Sequence, residues 1–160
     1  MALELVVLDT DTLSEMSRGN TIVKARAAAY LAEFGRLTIT AVTVFERLRG
    51  YRAAIRVGKP FERQLQAFEA LVANCVVLPF DQDAAAVAAD IWSASTRSQR
   101  SKLGDILIAA VAVSRQIPLA TRNKRDFQQL TKASGVNLRL VDWTMVTSRA
   151  AGGTRDDDGA

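Results

Sequence analysis

Apolar positions along this chain follow two rhythms that alternate from end to end. Short apolar-rich runs at 3–8, 37–39, 75–78, 117–121 and 138–141 are too brief for helices and read as buried strands. Between them the spacing is helical. Val23, Ala27, Tyr30 and Phe34 follow i, i+4, i+7, i+11 over residues 21–34, and Gly35 stands where a left-handed C-cap belongs. Val44, Leu48, Tyr51 and Ile55 form the stripe of a helix that Thr40 or Thr43 caps and that runs to about Val57. After Gly58-Lys59-Pro60 the pattern repeats at Phe61, Leu65, Phe68 and Val72. Asp81 or Asp83 starts a helix to about Ser98, with Ala84, Val87 and Ile91 inward, and residues 97–103 read as a polar, basic loop. A short helix capped by Thr12 or Ser14 ends at Gly19-Asn20, and a last helix falls near 124–133.

One run differs from the rest. From Ile106 to Val113 only alanine and aliphatic residues occur, so this helix has no polar face and is expected to be buried all round. Asp105 opens it, Arg115 and Gln116 close it, and Pro118 forbids its continuation. Strands alternating with helices predict an α/β fold: a parallel sheet of about five short strands, covered on both faces. The pair of helices between the second and third strands departs from a plain doubly wound domain.

Composition narrows the chemistry. A length of 160 residues suits one domain, and 49% hydrophobic residues supply a core without disulfides or a structural metal. The single cysteine, Cys75, excludes an internal disulfide; it lies in an apolar run, reads as a buried thiol, and suits a reducing cytoplasm. There is no histidine, which excludes His-ligated zinc, Ser-His-Asp triads and histidine bases. Catalysis would rest on carboxylates, hydroxyls, Lys, Arg or a metal held by oxygen. Residues 1–8 carry Glu4 and too short an apolar run for a signal peptide or membrane span.

The net charge is +4; without residues 150–160, which hold Arg155, Asp156, Asp157 and Asp158, 20 basic and 14 acidic groups remain. That balance favours an anionic partner such as nucleic acid, although ordinary solubility charge is the alternative. The organisation expected is one domain over 1–148 and a disordered Gly/Asp/Ala-rich tail over 149–160.

Against this basic background, several acids fall on one edge. In open parallel sheets, ligands sit at the carboxyl ends of strands. Asp9 ends the first strand, Glu46 lies early in the helix after the second, and Asn123 and Asp126 follow the fourth. Asp105 precedes its strand and needs tertiary support to join them. Singly, each acid is equally a turn, cap or solvated residue. Together they repel one another unless a cation sits among them, and oxygen-only ligands suit magnesium or manganese.

Four stretches in order resemble the PIN-domain ribonucleases, most of all the VapC toxins of bacterial toxin–antitoxin pairs. They are Leu8-Asp9-Thr10-Asp11-Thr12-Leu13-Ser14, residues 40–50 with Glu46 and Leu48, Gly104-Asp105-Ile106-Leu107-Ile108-Ala109-Ala110, and Ala120-Thr121-Arg122-Asn123-Lys124-Arg125-Asp126-Phe127. The resemblance spans about residues 3–143. It implies a PIN-like three-layer sandwich and a magnesium-dependent endoribonuclease, with manganese as the alternative ion. It also implies a cognate antitoxin that covers the acid edge, and a homodimer or toxin–antitoxin hetero-oligomer.

Its acid set maps onto Asp9, Glu46 and Asp105. The fourth position falls to Asp126 or Asn123; Asp126 is preferred because Asn123 brings no charge. Asp11 stands where asparagine is usual. On this reading Asp9 and Asp105 hold the metal, and Glu46 and Asp126 complete the catalytic set. Thr10, Arg100, Lys102, Thr121, Arg122, Asn123 and Lys124 would contact the substrate. Two rivals remain: a haloacid-dehalogenase-like phosphatase built on Asp9-Thr10-Asp11, and a degenerate PIN fold that binds RNA or protein without catalysis.

Overall fold

The computed structural model describes residues 3–146, so the expected domain boundary and tail at 148–160 lie outside the described residues. Five short strands and eight helices alternate among them: β1 (Val7–Leu8), α1 (Thr10–Ser17), α2 (Thr21–Phe34), β2 (Thr38–Thr40), α3 (Ala41–Arg56), α4 (Glu62–Ala73), β3 (Val76–Leu78), α5 (Gln82–Ala94), α6 (Arg97–Arg100), α7 (Leu103–Arg115), β4 (Leu119–Ala120), α8 (Lys124–Lys132) and β5 (Leu140–Val141). All pairings are parallel, as the alternation predicts.

The expected single sheet is, however, two hydrogen-bonded pieces, β1-β4-β5 and β2-β3, with β1 beside β2 but no ladder between them. Tyr30 occupies that seam. Its hydroxyl lies 3.4 Å from the Val6 N–H, the Val6 carbonyl and Thr38 Oγ1, taking polar groups that a ladder would use.

Residue alternation along the strands builds two cores. Val7 and Leu119 face α5, α7 and α8, where Ile91, Ile106, Ile108 and Phe127 pack. Val6, Leu8 and Ala120 face the opposite way onto α1 and α2, with Leu13, Val23, Tyr30 and Trp143. Helices on both faces of the strands give three layers. The apolar α7 packs between α5, α3 and α8 with Ile106 and Ala109 to Ala112 fully enclosed, but Leu107 and Val113 are only half-buried, so the burial is not all round.

Local capping explains several boundaries that periodicity misplaced. The N-cap of α1 is Asp9, whose side chain accepts from Thr10 N, rather than Thr12 or Ser14. Thr40 caps α3 by accepting from Thr43 N, and Asp81 caps α5 by accepting from Ala84 N. Instead of running to Ser98, α5 ends at Ala94, and the expected basic loop contains α6. A reciprocal capping box between Thr96 and Gln99 creates that turn, a signal hidden in a polar stretch. The helix α7 begins at Leu103, which places Asp105 inside its first turn. The first strand covers only Val7 and Leu8; Leu3 and Leu5 are each 49% exposed.

Candidate active site

The register that sets Leu8 beside Ala120 brings the next residues, Asp9 and Thr121, together at the ends of β1 and β4. Thr121 Oγ1 donates to Asp9 Oδ2 at 2.9 Å, and Thr10 N donates to Asp9 Oδ1 at 2.8 Å. The same hydroxyl lies 3.2 Å from Asp11 Oδ2, which also accepts from Arg122 N at 3.0 Å. One hydroxyl proton therefore serves two carboxylates. Asp9 is 5% exposed. Burial, reinforced by the negative charges of Asp11 and Asp105, pushes its pKa up to about 7 against the pull of the Thr10 and Thr121 bonds.

The buried α7 delivers Asp105 from the other side. Burial raises its pKa; Lys102 lowers it, while Asp126 and Asp11 push it further up. Glu46 on α3 is raised by burial and then by Asp105. Glu46 Oε1 is shielded from solvent and finds no hydrogen-bond donor among the described residues. It fits against Gly104 so closely that a Cβ there would lie 2.3 Å from Oε1. Asp126 is held differently. Its Oδ2 accepts from Lys102 Nζ at 2.6 Å and Asn123 Nδ2 at 3.0 Å, and these two bonds keep its carboxyl below the usual range.

Glu46, Arg49, Lys102, Asp105, Asn123 and Asp126 line one open cleft of about 330 Å³, while Asp9 does not reach its lining. Beyond burial, the main cause in each case, Asp105 raises Glu46 and, less than Asp11 does, Asp9, and is itself raised by Asp126 and Asp11.

The remaining residues expected to contact substrate take separate positions. The Thr10 hydroxyl is buried without a partner among the described residues. Arg100 is folded away from the cleft: its guanidinium lies 3.9 Å from the centre of the Trp92 ring and donates to the Trp92 carbonyl. The Arg122 guanidinium pairs with Glu15 on α1, so its main-chain N–H rather than its charge serves the acid cluster. Lys124 opens α8 on the exposed surface. Three contributors have no place in the set expected from sequence: Asp11 as a charge acting on Asp9 and Asp105, Arg49 on the cleft rim, and Gly104 as the seat of Glu46. For Gly104 a signal existed, since glycine within a helical pattern marks close approach by something else.

Among the described residues, no three His, Cys, Asp or Glu side chains converge tightly enough to ligate one ion as they stand. The donor chemistry nevertheless fits a hard divalent cation. The available ligands are oxygens, the acids repel one another, and Glu46 Oε1 lacks a donor. Gly104→Ala provides a direct check on Glu46. The added methyl displaces a side-chain end rather than backbone, so the melting temperature should change little. Any turnover that uses Glu46 should fall about tenfold to a hundredfold, as for loss of an outer support of a metal site. Unchanged turnover would remove Glu46 from the chemistry.

The profile of the PIN domain matches residues 6–133. Among solved structures, the chain is similar to one in the DNA-bound VapBC complex from Salmonella typhimurium, at 23% identity over 88% of this chain and 99% of the other, with a TM-score of 0.67. VapBC-1 from nontypeable Haemophilus influenzae gives 23% identity, 88% and 99% coverage, and a TM-score of 0.65. FitAcB from Neisseria gonorrhoeae gives 22%, 89% and 100%, and 0.58. At these identities the likeness is one of fold. No curated protein matches the sequence.

The family match overturns the haloacid-dehalogenase-like alternative. Asp11, the second acid of that reading, instead accepts bonds from Thr121 and the Arg122 main chain. With its profile spanning most of the chain and Asp9 at the carboxyl end of a strand paired in parallel with β4, the chain belongs to the PIN-domain family.

Proposed function

We propose that this protein is a divalent-metal-dependent endoribonuclease, the toxin of a type II toxin–antitoxin pair. The observation that carries the reading is the convergence of Glu46, Asp105 and Asp126 on one cleft whose lining also holds Lys102 and Arg49, with Asp9 within electrostatic reach of Asp105. Family membership supports nuclease chemistry in general terms.

Asp9 and Asp105 would hold Mg2+ or Mn2+, and Glu46 and Asp126 would complete the set through water or a second ion. Asn123 is the alternative to Asp126; its amide already orients the Asp126 carboxylate. Such an ion lowers the pKa of water and stabilises charge on phosphoryl oxygens. The chain's own groups do the rest. Glu46, which lines the cleft, would accept a proton from the attacking water. Thr121 fixes Asp9 through its hydroxyl. Lys102 and Arg49 in the cleft lining would grip phosphate oxygens, Lys102 leaving its Asp126 partner to do so.

The partner side of the proposal rests on the VapBC and FitAcB complexes, whose fold this chain shares. That likeness supports an antitoxin partner; its covering the acid edge, a homodimer or hetero-oligomer and a cytoplasmic location are the further expectations of the family resemblance. No described helix is long and apolar enough to cross a membrane.

RNA cleavage should require Mg2+ or Mn2+ and stop on addition of a chelator. The products should carry 5′-phosphates, because water rather than the ribose 2′-hydroxyl attacks. Analysis of RNA ends decides: 2′,3′-cyclic phosphates would overturn the mechanism. RNA binding without metal-dependent turnover would favour the degenerate, non-catalytic PIN reading.

A further inference from the structure

Beside the acid cleft lies a second pocket of about 220 Å³, between α3 and the start of α4, lined by Glu46, Arg47, Gly50, Tyr51, Ala54 and Phe61. Glu46 is common to both pockets, so they share a wall. We propose that this second pocket is a nucleobase subsite, which receives an unpaired, carbonyl-bearing base of the RNA strand adjoining the scissile phosphate. The proposal rests on the nuclease reading and adds the feature that selects what is bound.

Three features of α3 point to a flat, uncharged acceptor. Gly50 sits inside the helix, where glycine is unfavourable, yet a Cβ there would meet nothing within 4 Å. Packing of the chain therefore does not require glycine, while its absent side chain leaves this exposed part of the pocket wall open. Arg47 lines the pocket; its Nε–H is shielded from solvent and has no acceptor among the described residues, so a ligand in the pocket meets the terminal guanidinium nitrogens rather than Nε. Its guanidinium lies 5.9 Å from the centre of the Tyr51 ring and 5.8 Å from that of Phe68, between this pocket and a neighbouring one of about 260 Å³ that Arg47, Tyr51 and Phe68 also line. Finally, the half-buried rings of Tyr51 and Phe61, with centres 6.2 Å apart, offer aromatic surface at the mouth.

A splayed base satisfies all three: its ring packs on the aromatics and its carbonyl accepts from Arg47. An acidic peptide would satisfy Arg47 as well, but it would set further carboxylates beside Glu46. A base brings a neutral acceptor to the same place. Continuity through Glu46 gives the strand a path, with Arg49 in the cleft and Arg47 in the pocket on either side of that residue. Adenine has no carbonyl oxygen and should be the poorest occupant.

Fluorescence anisotropy of labelled single-stranded RNA of about ten nucleotides tests the subsite. The measurement is made in an Asp105→Asn background with chelator, so that it needs neither metal nor cleavage. Gly50→Leu fills the pocket while improving helix propensity, and Arg47→Met removes the donor. Each should weaken binding of oligouridylate about tenfold, and Arg47→Lys should not restore it, because the planar fork is lost. With Arg47 present, oligoadenylate should bind about tenfold more weakly than oligouridylate; Arg47→Met should erase that difference.

Parent-like affinity in both Gly50→Leu and Arg47→Met, with melting temperatures showing both folded, overturns the subsite. So does loss of binding to an acidic peptide with RNA affinity unchanged, which would make the pocket a protein-docking site. If the protein with Asp105 intact cuts no RNA while Arg47 still governs affinity, the nuclease reading fails and the subsite stands.

Discussion

Asp105→Asn should lower RNA cleavage by about a thousandfold or more and abolish most of the stabilisation that Mg2+ confers. The magnitude follows from losing several kcal/mol of metal-borne charge stabilisation at the phosphoryl group. The parent protein should gain about 2.7 kcal/mol at a hundredfold excess of Mg2+ over its dissociation constant. A second consequence is specific to the geometry. Burial is the main cause of the raised pKa values of Asp9 and Glu46 and Asp105 adds to it, so removing its charge should lower both somewhat, Glu46 more than Asp9, while both stay above the ordinary carboxylate range. Thermal melts with and without Mg2+, together with carboxyl-carbon NMR titration, measure all of this. A Mg2+ response equal to the parent's would take Asp105 out of the metal site.

Asp9→Asn should stabilise the metal-free protein at pH 8 by about 2 kcal/mol, and that advantage should disappear by about pH 5. In the fold Asp9 keeps its proton up to about pH 7, whereas its ordinary value is 3.8. Between those values the folded state binds the extra proton, so parent stability falls as pH rises through the interval. The full difference of about three pH units corresponds to about 4 kcal/mol. Asparagine recovers only part of it, because its amide group replaces one of the two oxygens that accept from Thr10 N and Thr121 Oγ1, a loss of about 2 kcal/mol. The metal-free parent should therefore melt at a lower temperature at pH 8 than at pH 6 through this residue, and Asp9→Asn should flatten the dependence. Divalent metal should reverse the order of the two proteins at pH 8, since only the parent would offer a full carboxylate. A pH dependence identical in both would mean that the Asp9 carboxylate is ordinary.

Much of the frame was legible because burial leaves a periodic mark. The i, i+4, i+7, i+11 stripe delimits α2 over Thr21–Phe34, and Gly35 closes it with φ 77°. The unbroken apolar run after Asp105 identifies the buried α7. Alternation of strands and helices gives parallel pairing throughout. Where a boundary depends on which side chain captures a terminal N–H, periodicity is silent. Asp9, rather than Thr12 or Ser14, takes that role for α1, and the Thr96–Gln99 box inserts a turn within an apparent loop. The unladdered seam between β1 and β2 depends on a tyrosine hydroxyl supplied by another element, α2.

For the site, the sequence by itself determined the inventory: carboxylates without histidine, set at strand ends and helix starts among basic residues. Connectivity fixes the edge on which Asp9, Glu46, Asn123 and Asp126 emerge, because in a parallel sheet every strand ends on the same side. Only the tertiary structure decided which charges act on one another. Lys102 reaches Asp126 across 24 positions and Arg122 turns to Glu15 across 107, while Arg100 settles on Trp92 and leaves the cleft. Asp9 and Thr121, 112 positions apart, meet because Leu8 pairs with Ala120. Glu46 loses its solvent against Gly104, a contact with no periodic signature in either helix. Burial of a helix face is dictated by the sequence of that helix. The pKa of a carboxylate is dictated by distance and desolvation, and both are set by elements far away in the chain.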